Sequence, residues 1–380
     1  MSKIINIPKL RFKEFSGVWE DKLIGQILTV GSGKDYKHLS NGDIPVYGTG
    51  GYMLSVNDYL YDGESVGIGR KGTIDKPIFL TGKFWTVDTL FYTHSFKNSV
   101  PKFIYSIFQR INWKLYNEAS GVPSLSKSTI EKIKIFIPSK HEQEKIASFL
   151  ISIDTRIEQL TKKEELLQQY KKGVMQKIFN QEIRFKADDN NVFPAWEEYS
   201  LKDFLITTLR EIEKPKENYL AIGVRSHCKG TFQKPDSEPD KIAMDKLYIV
   251  KENDLIVNIT FAWESAIAIV KKEDENGLVS HRFPTYTFNE RITNSKYFKY
   301  VIIQKRFRTM LDLISPGGAG RNRVMSKKDF LTLKWELPCI EEQNKIANFL
   351  SLIDTKIEHV QKQLESSKDF KKALLQQMFV

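Results

Sequence analysis

The chain has 380 residues, a length that fits two to three domains of ordinary size. Its 58 Lys and Arg outnumber 47 Asp and Glu for a net charge of +11, and 41% hydrophobic content supports packed cores rather than wholesale disorder. No apolar run approaches the roughly 18 residues that cross a bilayer, the opening residues lack the apolar core of a secretory signal, and two cysteines, Cys228 and Cys339, supply neither a metal tetrad nor a disulfide framework. Secreted, membrane-spanning and zinc-finger classes fall away. What remains is an expected cytoplasmic protein with reduced thiols, whose excess charge favours a polyanionic partner.

In chain order, residues 1–140 open on Leu10-Arg11-Phe12, Trp19 and Leu23. Short β-branched and aromatic runs bounded by Gly and Pro follow, among them Asp43–Gly48 and Tyr61–Gly72, and they predict strands and turns. A helical stretch is expected around 101–118, then a loop at Ala119–Ser124, then Ser126-Lys127 and a strand-like run to Pro138. Residues 141–182 read as one long helix. Residues 183–338 start again with Ile183-Arg184-Phe185, Trp196 and Leu201, pass through a helical stretch around 295–314, and leave through Ser326-Lys327 and Pro338. Residues 339–380 read as a second long helix. The expected organisation is therefore α+β: two globular domains, 1–140 and 183–338, alternating with helices at 141–182 and 339–380.

The helices are copies of each other. Residues 137–179 and 337–379 align at an offset of 200 without a gap, and 19 of 43 positions are identical. Apolar residues recur in steps of four and three: Ile146, Leu150, Ile153, Ile157 and Leu160 in the first copy, and Ile346, Leu350, Ile353, Ile357, Val360 and Leu364 in the second. That is the seam of a heptad pattern. Glu164 interrupts the first seam before Leu167. Acidic residues near the starts (Glu142, Glu144; Glu341, Glu342) and lysines near the ends (Lys171, Lys172; Lys371, Lys372) suit the helix dipole. Helices of this length span roughly 55–60 Å. Each could pack on its own domain, but so long a stripe is best covered by the duplicate. Residues 1–140 carry net +7 and residues 183–338 net +4, whereas both helices are neutral. The charge sits on the globules.

Several enzyme-like motifs fail on context. Gly67-Ile68-Gly69-Arg70-Lys71-Gly72 matches GxGxxG, but Thr73, Ile74 and Pro77 oppose the helix that a dinucleotide site needs. A Gly-rich turn exposing Arg70 and Lys71 to phosphate or bases explains it better. His141-Glu142 begins an HExxH pattern, but Lys145 stands where the second His must be. The acids of Pro235–Lys241 read as a solvated loop. No catalytic triad, phosphate loop or methyltransferase motif is present, and no catalytic or metal-binding residues are assigned.

The remaining features suit DNA. Ser315–Arg323 presents Arg321, Asn322 and Arg323 on a Gly-rich loop, after a Lys305, Arg306, Arg308 cluster. Arg can grip guanine, Asn can grip adenine, and both also bind phosphate. Ser120 and Ser124 lie in the corresponding first-half loop. Arg282 is a further candidate, with a structural ion pair as its alternative, and Trp263 has core packing as its alternative. Similar framing around divergent centres points to one scaffold carrying two specificities.

With two "IP…EQ.KIA.FL..ID..IE" helix starts (Leu337 replacing the first Ile in copy two), the chain resembles the specificity subunits of type I restriction–modification systems. Ile44–Tyr52 (IPVYGTGGY), Gly82–Tyr92 (GKFWTVDTLFY), Asp254–Glu264 and Leu278–Tyr286 (LVSHRFPTY) resemble the family's target-recognition domains. The resemblance covers essentially the whole chain. It implies a noncatalytic reader of double-stranded DNA, with one domain for each half of a bipartite asymmetric site. It also implies helices that pair antiparallel as a coiled-coil spacer and dock two methyltransferase subunits, with two motor-endonuclease subunits completing the complex. S-adenosylmethionine, ATP and Mg2+ would reside on those partners and none in this chain. The alternatives are a stand-alone DNA-binding regulator or scaffold and an unrecognised nuclease or methyltransferase. Half-sites read from one face lie roughly 34–36 Å apart, a span within reach of helices this long. Inserting one heptad into both helices adds ~10 Å and is expected to change the preferred spacer in a binding selection. Recovery of the original spacer would rule the ruler out.

Overall fold

The computed structural model describes residues 6–317 and 323–380. The chain forms two compact units, one gathering everything up to Leu166 together with Glu358–Val380, the other consisting of Leu167–Ile357. The two long helices are Lys140–Phe179 and Ile340–Gln377. Each unit thus holds one globule, the first part of one long helix and the last part of the other. The class is α+β.

Within the first unit, Glu20–Leu23 pairs antiparallel with Lys134–Ile137. A four-stranded antiparallel sheet has the order Thr29–Ser32, Leu90–His94, Ser65–Gly69, Ile78–Leu80. A second sheet runs Gly51–Val56, Asn41–Gly48, Lys83–Thr86, Tyr61–Asp62, with its middle pair parallel. The second unit is built the same way. Glu197–Ser200 pairs with Lys334–Leu337, and an antiparallel sheet has the order Leu205–Thr207, Thr285–Phe288, Leu255–Val257, Ile267–Ile269. Its other sheet runs Thr231–Ser237, Tyr219–Val224, Leu278–Val279, Lys246–Ile249, again with a parallel middle pair, and adds Glu211–Glu213 at the edge. The centres differ in sequence but share one topology. Pro235, expected in a loop, lies on Thr231–Ser237; that strand is an edge, where a missing N–H breaks no ladder bond.

The helical stretches are shorter than the sequence suggests. The first ends at Arg110, where the Trp113 indole donates to the Phe108 carbonyl (2.8 Å). The second splits into Ser295–Val301 and Lys305–Leu313, and the Gln304 amide donates to the Tyr300 carbonyl (2.9 Å). Both side chains satisfy carbonyls that a helix end leaves open. Gly67 and Gly69 lie on a strand, and no helix follows them. A Cβ at Gly69 would meet the Thr73 carbonyl oxygen at 2.0 Å, so close backbone approach requires this glycine.

Each core is completed by helix. In the first unit Trp19, Phe103, Phe108 and Trp113 pack with Ile146, Ala147 and Leu150, and with Leu374, Met378 and Phe379 from the end of the other helix. Phe379 stacks on Phe103 at 5.3 Å. In the second, Phe204, Tyr297, Phe298 and Trp335 pack with Ile346, Leu350 and Ile353, and with Ile178. The helices pair antiparallel within both units: Lys371 meets Asp154 at 2.6 Å in the first, and Lys171 meets Asp354 in the second. Leu160, Val360 and Leu364 are buried, whereas Ile157 and Ile357 are half-buried. Glu164 accepts a hydrogen bond from Gln361 at 2.7 Å.

The duplicated Glu-Gln at each helix start docks the helix on its globule. Glu142 takes a two-pronged grip from Arg11 (2.7 and 2.8 Å), and Glu342 takes one from Arg184 (3.1 and 2.6 Å) plus the Trp196 indole at 3.3 Å. Gln143 donates to the Asn98 and Pro138 carbonyls, and Gln343 to those of Ile292 and Pro338. All four are almost wholly buried. The helix-start acids are therefore ion-pair anchors as well as dipole partners. Breaking a buried pair leaves its survivor uncompensated. Glu342→Ala is expected to destabilise the protein by about 3 kcal/mol, measured by urea unfolding followed through tryptophan fluorescence. A loss under about 1 kcal/mol would show that the pair behaves as a surface one.

Candidate nucleic-acid interface

In the first unit the strand Ser65–Gly69 runs out into Arg70 and Lys71, and the loop 117–126 folds back over them. Leu125 donates its N–H to the Arg70 carbonyl (2.8 Å), and Gly72 donates to the Pro123 carbonyl (2.8 Å). Asn117 organises this loop, its Oδ1 accepting the N–H groups of Ala119 (3.1 Å) and Ser124 (2.9 Å). Glu118 ties the loop's far end by accepting from the Thr129 hydroxyl and from Ser126 Oγ (2.8 Å), bonds that hold its carboxyl below the usual range. The result is a cleft of about 860 Å³ lined by Arg70, Lys71, Ser124 and Lys127, with Asp88 and Thr89 from the turn before strand Leu90–His94. Arg70, Lys71 and Ser120 are exposed, and Ser124 is half-buried. Beside it Tyr61, Tyr92 and His94 group with ring centroids 5.5–6.0 Å apart. Burial, and secondarily the Lys127 charge, push the His94 imidazole below its ordinary value.

The second unit repeats this framework. Arg70 donates its N–H to the Thr89 carbonyl and accepts from Leu125; Ile259 donates to the Arg282 carbonyl (3.0 Å) and accepts from Met325 (2.9 Å). Ile259 therefore stands where Arg70 does, and Arg282 where Thr89 does. Ser126 and Ser326, the next residues, each cap a short helix by accepting an N–H three residues on. Arg282 is exposed and forms no ion pair among the described residues. Arg323 is engaged internally: it donates to Asp312 Oδ1 (2.6 Å) and to the Ser315 carbonyl (2.9 Å), and lies 5.2 Å from the Trp263 ring. Arg321 and Asn322 lie outside the described residues.

A second cleft, about 640 Å³, opens in the same unit beside the hairpin Tyr219–Val224/Thr231–Ser237. Arg225, Lys229 and Lys234 line it with Phe232, Phe261, Asn258 and Glu264. The hairpin turn holds His227 and Cys228 at positive φ (62° and 54°), fixed by N–H bonds to the Glu264 (2.7 Å) and Ser265 (2.9 Å) carbonyls. The Cys228 thiol donates to the Ile302 carbonyl, and burial pushes its pKa up to about 11, so it is an inert structural thiol. Glu264 accepts from Ser226 (2.6 Å). Sequence reasoning passed over Arg225, Lys229 and Lys234; the available signal was a basic six-residue turn ending in Gly230 between two strand-like runs. It also noted Lys127 and Lys327 only as framing.

Residues 17–168 and 195–366 match the model of the type I restriction modification DNA specificity domain, and the chain belongs to that family. It is 24% identical over 344 residues to the type I restriction enzyme MjaVIII specificity subunit of Methanocaldococcus jannaschii, covering 85% of this chain and 78% of that one. It is 27% identical over 280 residues to the putative MjaX specificity subunit of the same organism, covering 71% and 63% respectively. The fold resembles the crystal structure of a type I restriction-modification S subunit from M. genitalium, with a TM-score of 0.67, 14% identity, and 98% and 99% of the two chains covered.

Because two backbone N–H groups rest on one side-chain oxygen, Asn117→Ala is expected to speed amide hydrogen exchange at Ala119 and Ser124 while leaving strand Ser65–Gly69 protected. Unchanged exchange in the loop would mean that Asn117 does not hold it.

Proposed function

We propose that this chain is the noncatalytic, sequence-reading subunit of a type I restriction-modification complex, with one globule reading each half of a bipartite asymmetric DNA site. The observation that carries this reading is the repetition of one scaffold with different residues at equivalent backbone positions: Arg70, Lys71 and Thr89, which line a cleft in one unit, against Ile259, Thr260 and Arg282 in the other. Two different half-sites require two different surfaces held in one framework. Unpaired cations on those surfaces suit a polyanion. Arg can address base edges that Lys addresses poorly.

The helices serve as spacer and as the docking face for two methyltransferase subunits, joined in the full complex by two motor-endonuclease subunits. S-adenosylmethionine, ATP and Mg2+ belong to those partners on this reading, and methyl transfer and cleavage are theirs. The test is to assemble the chain with a type I methyltransferase subunit from the same source, expose the complex to DNA, and map methylated adenines. A single bipartite motif is expected, and the partner alone should leave DNA unmodified. Scattered methylation, or the same motif from the methyltransferase without this chain, would overturn the reading.

A further inference from the structure

An internal duplication lets one half of a protein act as the control for the other. The two globules share their strand order, yet the residues at equivalent backbone positions differ: Arg70 against Ile259, and Thr89 against Arg282. The cation that does not differ is the lysine after the capping serine, Lys127 in the first unit and Lys327 in the second. Lys127 lines the cleft with Arg70, Lys71 and Ser124. Lys327 reaches to the carbonyl of His281, the residue before Arg282, at 3.2 Å. Neither lysine forms an ion pair among the described residues, although many surface lysines here do, Lys134 with Asp21 and Lys334 with Glu198 among them.

Resting on the DNA-reading function above, we infer that Lys127 and Lys327 are matched phosphate contacts, one per half-site, and that base selection lies with the residues near each lysine, Arg70 and Lys71 in one unit and Arg282 in the other. The argument is chemical. The phosphate backbone is the same in every half-site, so a group that grips it has no reason to differ between two readers, whereas a group that tells bases apart must. A lysine ammonium is a compact charge on a flexible stem and suits a phosphate oxygen. A guanidinium fork suits the paired acceptors of guanine. The backbone supports the division: Leu125 and Met325, buried and hydrogen-bonded to the carbonyls of Arg70 and Ile259 just past the facing strands, fix where each lysine emerges.

The experiment uses the chain assembled with its methyltransferase subunits, a randomised duplex library to select the bound motif, and a labelled duplex of that motif for titration at several salt concentrations. Lys127→Gln and Lys327→Gln are each expected to weaken binding about tenfold. Each should lower the salt slope by about one, and the selected motif should stay unchanged. Lys127→Arg should restore the slope. Arg282→Ala should instead relax the motif at one position of one half-site. A wild-type motif with neither affinity nor slope altered by the lysine variants would overturn this inference alone, as would a lysine variant that changes the motif. A wild-type complex that selects no motif would overturn the DNA-reading function itself.

Discussion

Within each unit the apolar stripes of the long helices have to be covered, and the antiparallel pairing that covers them shapes everything else. A globule alone cannot do so. In the first unit the start of the central helix closes one wall of the core, and Leu374, Met378 and Phe379 close another. In the second, Ile346 and Leu350 take the first role and Ile178 the second. Each core is thus assembled from chain segments far apart in sequence, and neither globule reaches its native packing until both helices exist.

That dependence explains why the helices match while the globules drift. Asp154 pairs with Lys371 and Asp354 with Lys171, so the acid of each copy is answered by the lysine of the other. A change in one copy is felt by its counterpart's partner. Tyr300 adds to this lock by donating to Asp354 at 2.8 Å; burial, and secondarily this bond, raises the phenol far above its ordinary pKa. The globule centres carry no such reciprocity. Their strands need only alternate correctly against a core, a demand that many sequences satisfy.

The helices, their seam and the two-globule plan were legible because periodicity is local. The framing pointed to one scaffold, but the strand-by-strand equivalence of the two centres was not legible. Their sheets share an order, but the turn between Asn41–Gly48 and Gly51–Val56 is tight, whereas the one between Tyr219–Val224 and Thr231–Ser237 is long and pinned elsewhere. Nor could the lead-in Arg-Phe and the helix-start Glu be joined on paper. Arg11 and Glu142 lie 131 residues apart, and Arg184 and Glu342 lie 158 apart. Each was visible as a repeat; what they repeat is contact with each other. Arg323 shows the converse limit. Its place in a Gly-rich loop suggested presentation to DNA, while Asp312, Ser315 and Trp263 supply it with partners inside its own domain.

On the proposed function, a duplicated reader faces two opposed demands, since framework and backbone grip must stay constant while recognition varies. The sequence is divided in a way that fits them. Constant parts frame each globule: the Arg-Phe lead-in, the capping serine with its lysine, and the Glu-Gln helix start. Variable parts sit between, on strand ends and turns where a change of side chain leaves the sheet order intact. The net positive charge follows the same division, with the helices neutral and the excess on the globules. A helix pair that carried the charge would hold DNA without regard to sequence. On the proposed function, cations placed at strand ends instead put electrostatic attraction where bases can be distinguished.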